Sequence, residues 1–309
     1  MKGKKTVHET KSLSSATSGN RGVMYLEIGG VQFSLLSRLP HLLRKHEAVY
    51  RPFIRKTENK EAINVTIRLE GGSLPETGNL KEIFNSGQSW SMFREGDVYW
   101  AVRQPPAFDE PLWLARFTPD MTDITVHCSD KITSTPFRYP LDQVLLMYIL
   151  ARNNGAIVHA AGMRIAGKGL LFPGPSGAGK STLARQFTGS GDSQVSLLSD
   201  DRLIIRKMNG RFVAFGTPWP GEEGIARNES MPLSGIFFLS HGEKNMLREI
   251  NPPEILEKLL RVTSIPWYDR EVMDEVLRFC EDLITRIPCF ELFFTPDSRI
   301  RDFLKTLPF

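Results

Sequence analysis

Residues 169–188 read GLLFPGPSGAGKSTLARQFT, and the fold class follows from them. Gly169-Leu170-Leu171-Phe172 is a short apolar run of strand character, and residues 182–187 have the pattern of a helix. Between the two, Gly174-Pro175-Ser176-Gly177-Ala178-Gly179-Lys180-Ser181 matches GxxxxGK[ST] in full. Glycines in such a loop let backbone N–H groups converge on phosphate oxygens where side chains would clash, and the helix that follows adds its positive end. The spacing predicts an α/β fold in which residues 174–182, Thr182 included, bind a nucleoside triphosphate. Lys180 would reach the β- and γ-phosphates, and the Ser181 hydroxyl would ligate Mg²⁺.

Downstream, VSLLS (residues 195–199) reads as a strand that ends in Asp200-Asp201, the first of them 19 residues beyond Ser181. A hydrophobic strand delivering carboxylates beside a phosphate loop is a way to hold Mg²⁺ directly or through water. Neighbouring like charges also split their pKa values, which leaves one carboxylate able to accept a proton from an attacking hydroxyl. LIIRKMNGRFVAFG (203–216) predicts a hairpin turning at Asn209-Gly210, and LSGIFFLS (233–240) and CFELFFTP (289–296) predict further strands. Residues 252–262 and 269–286 have helical periodicity. Upstream, PLDQVLLMYILARNNG (140–155) predicts a helix with Leu141, Val144, Leu145, Tyr148 and Ile149 on one face. Asn153-Asn154-Gly155 stops it, and AIVHAAGMRIAG (156–167) supplies a strand and a turn.

The N-terminal part has a different texture. Residues 1–22 hold almost no large apolar groups and read as a disordered tail. VMYLEIGGVQFSLLS (23–37) alternates around Gly29-Gly30 as a β-hairpin does, and a short helix is expected after Pro40. INVTIRLE (63–70), DVYWAVRQ (97–104), LWLARFTP (112–119) and ITVHCSD (124–130) are short β-rich runs between turn residues. The expected organisation is a tail over 1–22, a smaller β-rich α+β module for substrate recognition over 23–135, and a mixed-sheet α/β domain with flanking helices over 136–309.

Of the 309 residues 41% are hydrophobic and 24% charged, which is ordinary globular usage and excludes collagenous, coiled-coil and wholly disordered chains. The 39 basic residues exceed the 35 acidic ones by only four, too small a surplus to point to nucleic acid. No apolar run approaches the roughly 20 residues of a membrane span; the nearest, residues 144–151, is bracketed by Asp142 and Arg152. A polar N-terminus reads as lacking a secretory signal. Cys128, Cys280 and Cys289 are far apart with no CxxC pair, which predicts reduced thiols buried as small hydrophobes in a cytoplasmic protein. Trp219, Trp267 and Tyr268 lie among prolines and are read as packing residues that could also stack on a base or a peptide aromatic. Arg44, Lys45, Arg51, Arg55 and Lys56 form a basic, solvated face that could meet an acidic peptide.

VHAAGMRIAGKGLLFPGPSGAGKSTL (158–183), followed so soon by LLSDDRLII (197–205), resembles the catalytic domain of HPr serine kinase/phosphorylase over about residues 150–300. GTPWPGEEGIARNESMPLSGIFFL (216–239), VTSIPWYD (262–269) and the N-terminal module look like a divergent branch of that family tied to peptide modification. That branch includes lasso-peptide precursor kinases and SynChlorMet cassette proteins. The resemblance implies a P-loop kinase domain of HPr-kinase type and an ATP- and Mg²⁺-dependent serine kinase acting on a peptide or small protein. It makes Asp201, or Asp200, the base that deprotonates the acceptor serine, and it gives His159 an active-site position. Glu222 and Glu223 stand in for a metal-ligating glutamate of the family. Arg227 or Arg248 stands in for its active-site arginine. Homo-oligomers are an expectation from the family alone. A free-serine kinase is a rival within the same chemistry, and a nucleotide-gated peptide-binding module without transfer is a rival outside it.

Overall fold

The computed structural model of the chain describes residues 22–44, 47–78, 80–188 and 193–308. The expected tail therefore lies outside the described residues except for Gly22, and so does Lys45. In the N-terminal part, β1 (Gly22–Ile28) and β2 (Val31–Ser37) form the hairpin around Gly29-Gly30, followed by β3 (Ile54–Arg55) and β4 (Ile63–Gly71). The remaining strands are β5 (Lys81–Asn85), β6 (Trp90–Glu95), β7 (Val98–Arg103), β8 (Trp113–Phe117) and β9 (Ile124–Cys128). They bond in the order β3-β1-β2-β4-β9-β8-β7-β6-β5, with β2–β4 and β4–β9 parallel and their neighbours antiparallel. After Pro40 the chain makes 3-10 turns over Pro40–Leu43 and Ala48–Phe53.

The second part begins with α1 (Leu141–Arg152), β10 (Gly155–Ile165), β11 (Lys168–Pro173), α2 (Lys180–Arg185) and β12 (Val195–Ser199). It continues through β13 (Arg202–Met208), β14 (Arg211–Phe215), β15 (Ser230–His241) and β16 (Met246–Glu249). Helices α3 (Pro252–Leu260) and α4 (Arg270–Arg286), strand β17 (Cys289–Phe294) and helix α5 (Arg299–Lys305) complete it. The result is α/β with two mixed sheets and few helices.

One strand organises this half. Residues 155–159 of β10 pair antiparallel with β13, while residues 162–165 pair antiparallel with β12, and the register shifts at Gly162. A side chain at Gly162 would meet Leu203 at 2.8 Å, so the fork needs a residue without Cβ there. On its other side β10 pairs with β11, which lies parallel to β15, as β15 does to β17. The link between β12 and β13 is Asp200-Asp201, and it falls at the point where β10 exchanges one partner for the other.

Helix α1 is buried on most of its circumference, with only Gln143, Met147 and Arg152 half-buried, whereas its sequence predicts a single apolar face. Leu146 and Leu150, outside that face, are as fully enclosed as Leu145. The helix lies between the two halves: the Tyr148 ring sits 5.3 Å from Tyr99 of β7 and 5.5 Å from Phe117 of β8, and the helix also contacts β10 and α4. One apolar cluster runs from Leu26 and Phe33 through α1 to Ile204 and Leu283. Polar ties reinforce it. Buried Arg206 donates to Gly29 O at 3.0 Å, Asn228 donates to Glu27 O at 3.0 Å, and the Tyr99 hydroxyl donates to Asp269. Cys128, Cys280 and Cys289 are free, and burial pushes each thiol up to about 12, which keeps them inert as expected. No helix among the described residues is long and apolar enough to cross a membrane.

The tightest of these ties converges on Asp142, which is wholly buried at the start of α1. Its Oδ2 accepts the Tyr50 hydroxyl at 2.6 Å and the Trp219 indole N–H at 2.8 Å, and its Oδ1 accepts the Gln143 amide at 2.8 Å. Burial pushes this carboxyl above its ordinary range, and the three donors offset only part of that rise. Asp142→Ala removes the acceptor of two buried side-chain donors, each loss costing about 1–3 kcal/mol. Urea denaturation of that variant is therefore expected to show a loss of about 2–6 kcal/mol, and an unchanged midpoint would mean the network contributes nothing.

Candidate functional site

The site is built around the main chain of His159 on β10. Its carbonyl accepts the N–H of Gly174, the first residue of the glycine-rich loop, at 3.2 Å. Its own N–H donates to Val262 O at 2.7 Å, and the next amide, Ala160, donates to Asp201 O at 2.9 Å. The loop is thus hung from the same strand residues as the acidic link. Gly177 and Gly179 take left-handed backbone at φ 82° and 96°. At Gly179 the left-handed backbone favours glycine, and a Cβ would also press on the Phe294 ring at 3.3 Å. Beneath the loop, α2 and α5 pack Leu183, Phe187, Ile300 and Leu304 against Phe172, Phe237 and Phe294. The buried Lys180 ammonium folds back and donates to the carbonyls of Gly174 and Pro175 at 2.7 and 2.9 Å. Burial lowers its pKa, the nearby Asp201 carboxylate raises it, and Arg202 lowers it again.

The two neighbouring aspartates have different jobs. The turn that separates β12 from β13 is closed by Ser199, whose hydroxyl donates to Arg202 O at 2.8 Å and accepts the Asp201 amide at 3.4 Å. Across that turn the two side chains diverge. Asp200 is 2% exposed and accepts the amides of Gly221 at 3.0 Å and Glu223 at 2.7 Å, one on each oxygen. It pins the turn over residues 220–224, and a Cβ at Gly221 would crowd its carboxylate at 2.8 Å. Asp201 remains partly exposed, with Oδ1 2.8 Å from His159 Nε2 and Oδ2 3.5 Å from Arg202 Nε. Burial raises the Asp201 pKa, but the His159 hydrogen bond and the charges of His159, Arg202 and Lys180 outweigh it, and the carboxyl ends below its ordinary value.

The metal set expected from the sequence is not assembled. Asp200 is committed to amides. Glu222 and Glu223 ion-pair with Arg185 of α2 at 2.9 and 2.7 Å, and among the described residues no three His, Cys, Asp or Glu side chains gather as metal ligands. The other expected ligands are the Ser181 hydroxyl and the Asp201 carboxylate, whose Oδ1 meets His159. Of the two candidate arginines, Arg227 follows Ala226, which bridges to Ser199 at the end of β12, and its guanidinium reaches Glu229 at 3.9 Å. Arg248 is taken up elsewhere, pairing with Glu254 at 3.5 Å and with Glu291 of β17. Trp219 is buried on Asp142, as a packing residue should be, and Tyr268 is half-buried, whereas Trp267 is 62% exposed.

On the side of Asp201 facing the N-terminal half lies a cleft of about 740 Å³, walled by Arg103, Trp113, Thr135 and Arg138 and by Trp219, with Asp201 and Arg202 among its lining residues. Arg44, Arg51, Arg55 and Lys56 do not line it, and Arg55 is paired with Glu27. Arg202, which touches Asp201 and borders the cleft, is the residue sequence reading passes over, although it directly follows the acidic pair.

Residues 141–295, just over half of the chain, match the family model described as SynChlorMet cassette protein ScmC. No curated protein matches. The solved structure of the Hpr(Ser) kinase/phosphatase from Coxiella burnetii is 14% identical over 49% of this chain and 87% of that one, at a TM-score of 0.26.

The divergent roles of the two aspartates have a thermodynamic consequence. Asp200→Ala removes a charged acceptor from two amides, each such bond being worth about 1.5–3 kcal/mol. Calorimetry is expected to show a larger fall in melting temperature for Asp200→Ala than for Asp201→Asn, which keeps its shape and partial exposure and loses only the charge that His159, Arg202 and Lys180 stabilise. Equal effects would contradict the division.

Proposed function

The chain belongs to the SynChlorMet cassette protein ScmC family, and on that footing we propose that it is an ATP- and Mg²⁺-dependent kinase that transfers the γ-phosphate to a serine hydroxyl of a peptide or small protein. The position of Asp201 carries this reading. An ionised carboxylate that interacts with the charge of Lys180 in the glycine-rich loop also lines a cleft open to an acceptor, and its place rather than its basicity suits it to the proton. Donor and acceptor thus have separate compartments that meet at one group able to take a proton.

In this scheme the loop amides and Lys180 grip the triphosphate. Lys180 exchanges the carbonyls of Gly174 and Pro175 for phosphate oxygens, and these charge-assisted bonds are the stronger ones. The Ser181 hydroxyl and Asp201 would hold Mg²⁺. Two protein ligands suit this ion, which keeps several waters and takes the rest of its shell from phosphates. When bound, Mg²⁺ neutralises charge on the phosphate oxygens. The acceptor oxygen forms its bond to the γ-phosphorus as the bond to the bridging oxygen breaks. ADP leaves with that electron pair, and the hydroxyl proton passes to Asp201. His159 orients the carboxylate that receives it. Arg227, beside the end of β12, is the arginine suited to the transferred group.

A cleft of about 740 Å³ exceeds what free serine needs and is of the size that encloses much larger ligands, which favours a peptide acceptor and a place in peptide modification. Lys180→Ala is expected to abolish transfer of labelled phosphate from ATP to a serine peptide. Asp201→Asn is expected to keep affinity for a non-hydrolysable ATP analogue while transfer falls by about 10²- to 10⁴-fold. Full transfer by either variant would refute the assignment.

A further inference from the structure

The cleft beside Asp201 does not end at Arg202. A second cavity of about 520 Å³ shares Tyr139, Gln143 and Arg202 with it and runs on between the two halves. Its walls are aromatic: Phe84, Trp90, Trp267 and Tyr268 line it, and the Phe84 ring lies 4.9 Å from both Trp90 and Tyr268. Trp267 and Tyr139, at 62% and 53% exposure, are the most exposed large hydrophobic residues among those described, and both line this groove. Solvated aromatics that converge on a groove are unusual in a surface with no ligand to cover them.

The other arm has the opposite character. Arg103 and Arg138 line the cleft near one another, so that the charge of Arg138 acts on Arg103. Among the described residues Arg103 has no carboxylate in ion-pair range; its guanidinium donates to the Ser89 main chain and hydroxyl. Arg138 has one loose, solvent-exposed pair with Glu47 at 3.4 Å. Two guanidiniums, planar forks suited to oxyanions, therefore share one weakly held carboxylate.

We infer that the acceptor is a peptide lying along these adjoining cavities, with a large apolar side chain in the aromatic groove, the phosphorylated serine at Asp201, and an acidic group on Arg103 and Arg138. The shared walls at Tyr139, Gln143 and Arg202 set the two cavities side by side, and the surplus of positive charge in the larger one supplies the complementarity. The assignment of the middle position to the reacting serine rests on the kinase reading above. The two outer subsites rest on the cavity walls alone.

The test uses the full chain and fluorescein-labelled peptides with a central Ser, a Trp on one side and an Asp on the other, in both orders. Matched peptides carry Lys for Asp, or Ala for Trp, and every peptide is also made with Ala for Ser. Anisotropy on the Ala-centred set reads binding without chemistry. The Trp/Asp peptide of one order is expected to bind about tenfold more tightly than its Lys counterpart. Arg138→Glu is expected to reverse that preference, with the Lys peptide rescued. Trp267→Ala is expected to weaken only the Trp-containing peptides. Equal binding of Asp and Lys peptides to the unaltered protein, or a preference untouched by Arg138→Glu, would overturn the inference. Absence of phosphate on the Ser-centred peptides despite this pattern would refute the kinase reading instead and leave the two outer subsites standing.

Discussion

At His159 the backbone reaches in two directions at once, to Gly174 of the loop and to Val262 after α3, while the adjoining Ala160 amide takes the carbonyl of Asp201. Each such bond contributes only about 0.5–1.5 kcal/mol net. Their larger effect is geometric, because three segments distant in sequence are held to one rigid strand. The imidazole then closes the arrangement by bonding the Asp201 carboxylate. Phosphoryl transfer asks little covalent chemistry of a protein and much positioning, so a site whose donor loop and acid hang from neighbouring strand residues suits it.

A second layer fixes the walls. Asp142 ties Tyr50 of the N-terminal part to Trp219, and Trp219 leads into the turn that Asp200 holds by two amides. The N-terminal sheet is thus coupled through one buried carboxylate to the segment that borders the loop, and the cleft between the halves takes its shape from both. Arg185, gripping Glu222 and Glu223, closes the same turn onto α2. Charged residues that look from sequence like metal ligands serve here to hold the frame.

Much of this was legible in the chain. The glycine-rich loop, the strands on either side of it, the hairpins at Gly29-Gly30 and Asn209-Gly210, and helices α1, α3 and α4 follow from local patterns, and the structure forms them. Strands β5 and β6 were hidden because their residues are largely polar and half-exposed, and their turn is made by the Ser86 hydroxyl accepting three successive amides. Short β16 and α5 escaped for want of length. The different fates of Asp200 and Asp201 could not be read from two adjacent identical letters. They depend on amides 21 and 23 residues away and on a histidine from another strand. Arg248 likewise finds its partner 43 residues on. The cleft belongs to neither half alone, so no window of sequence contains it.

The claim on which the account rests is that a triphosphate in the glycine-rich loop is felt at the acidic link. Hydrogen–deuterium exchange with and without a non-hydrolysable ATP analogue and Mg²⁺ measures this directly, amide by amide. Slowed exchange over residues 174–182 together with residues 199–203 is the expected result. Exchange unchanged in the loop, or protection confined to segments remote from it, would contradict the account.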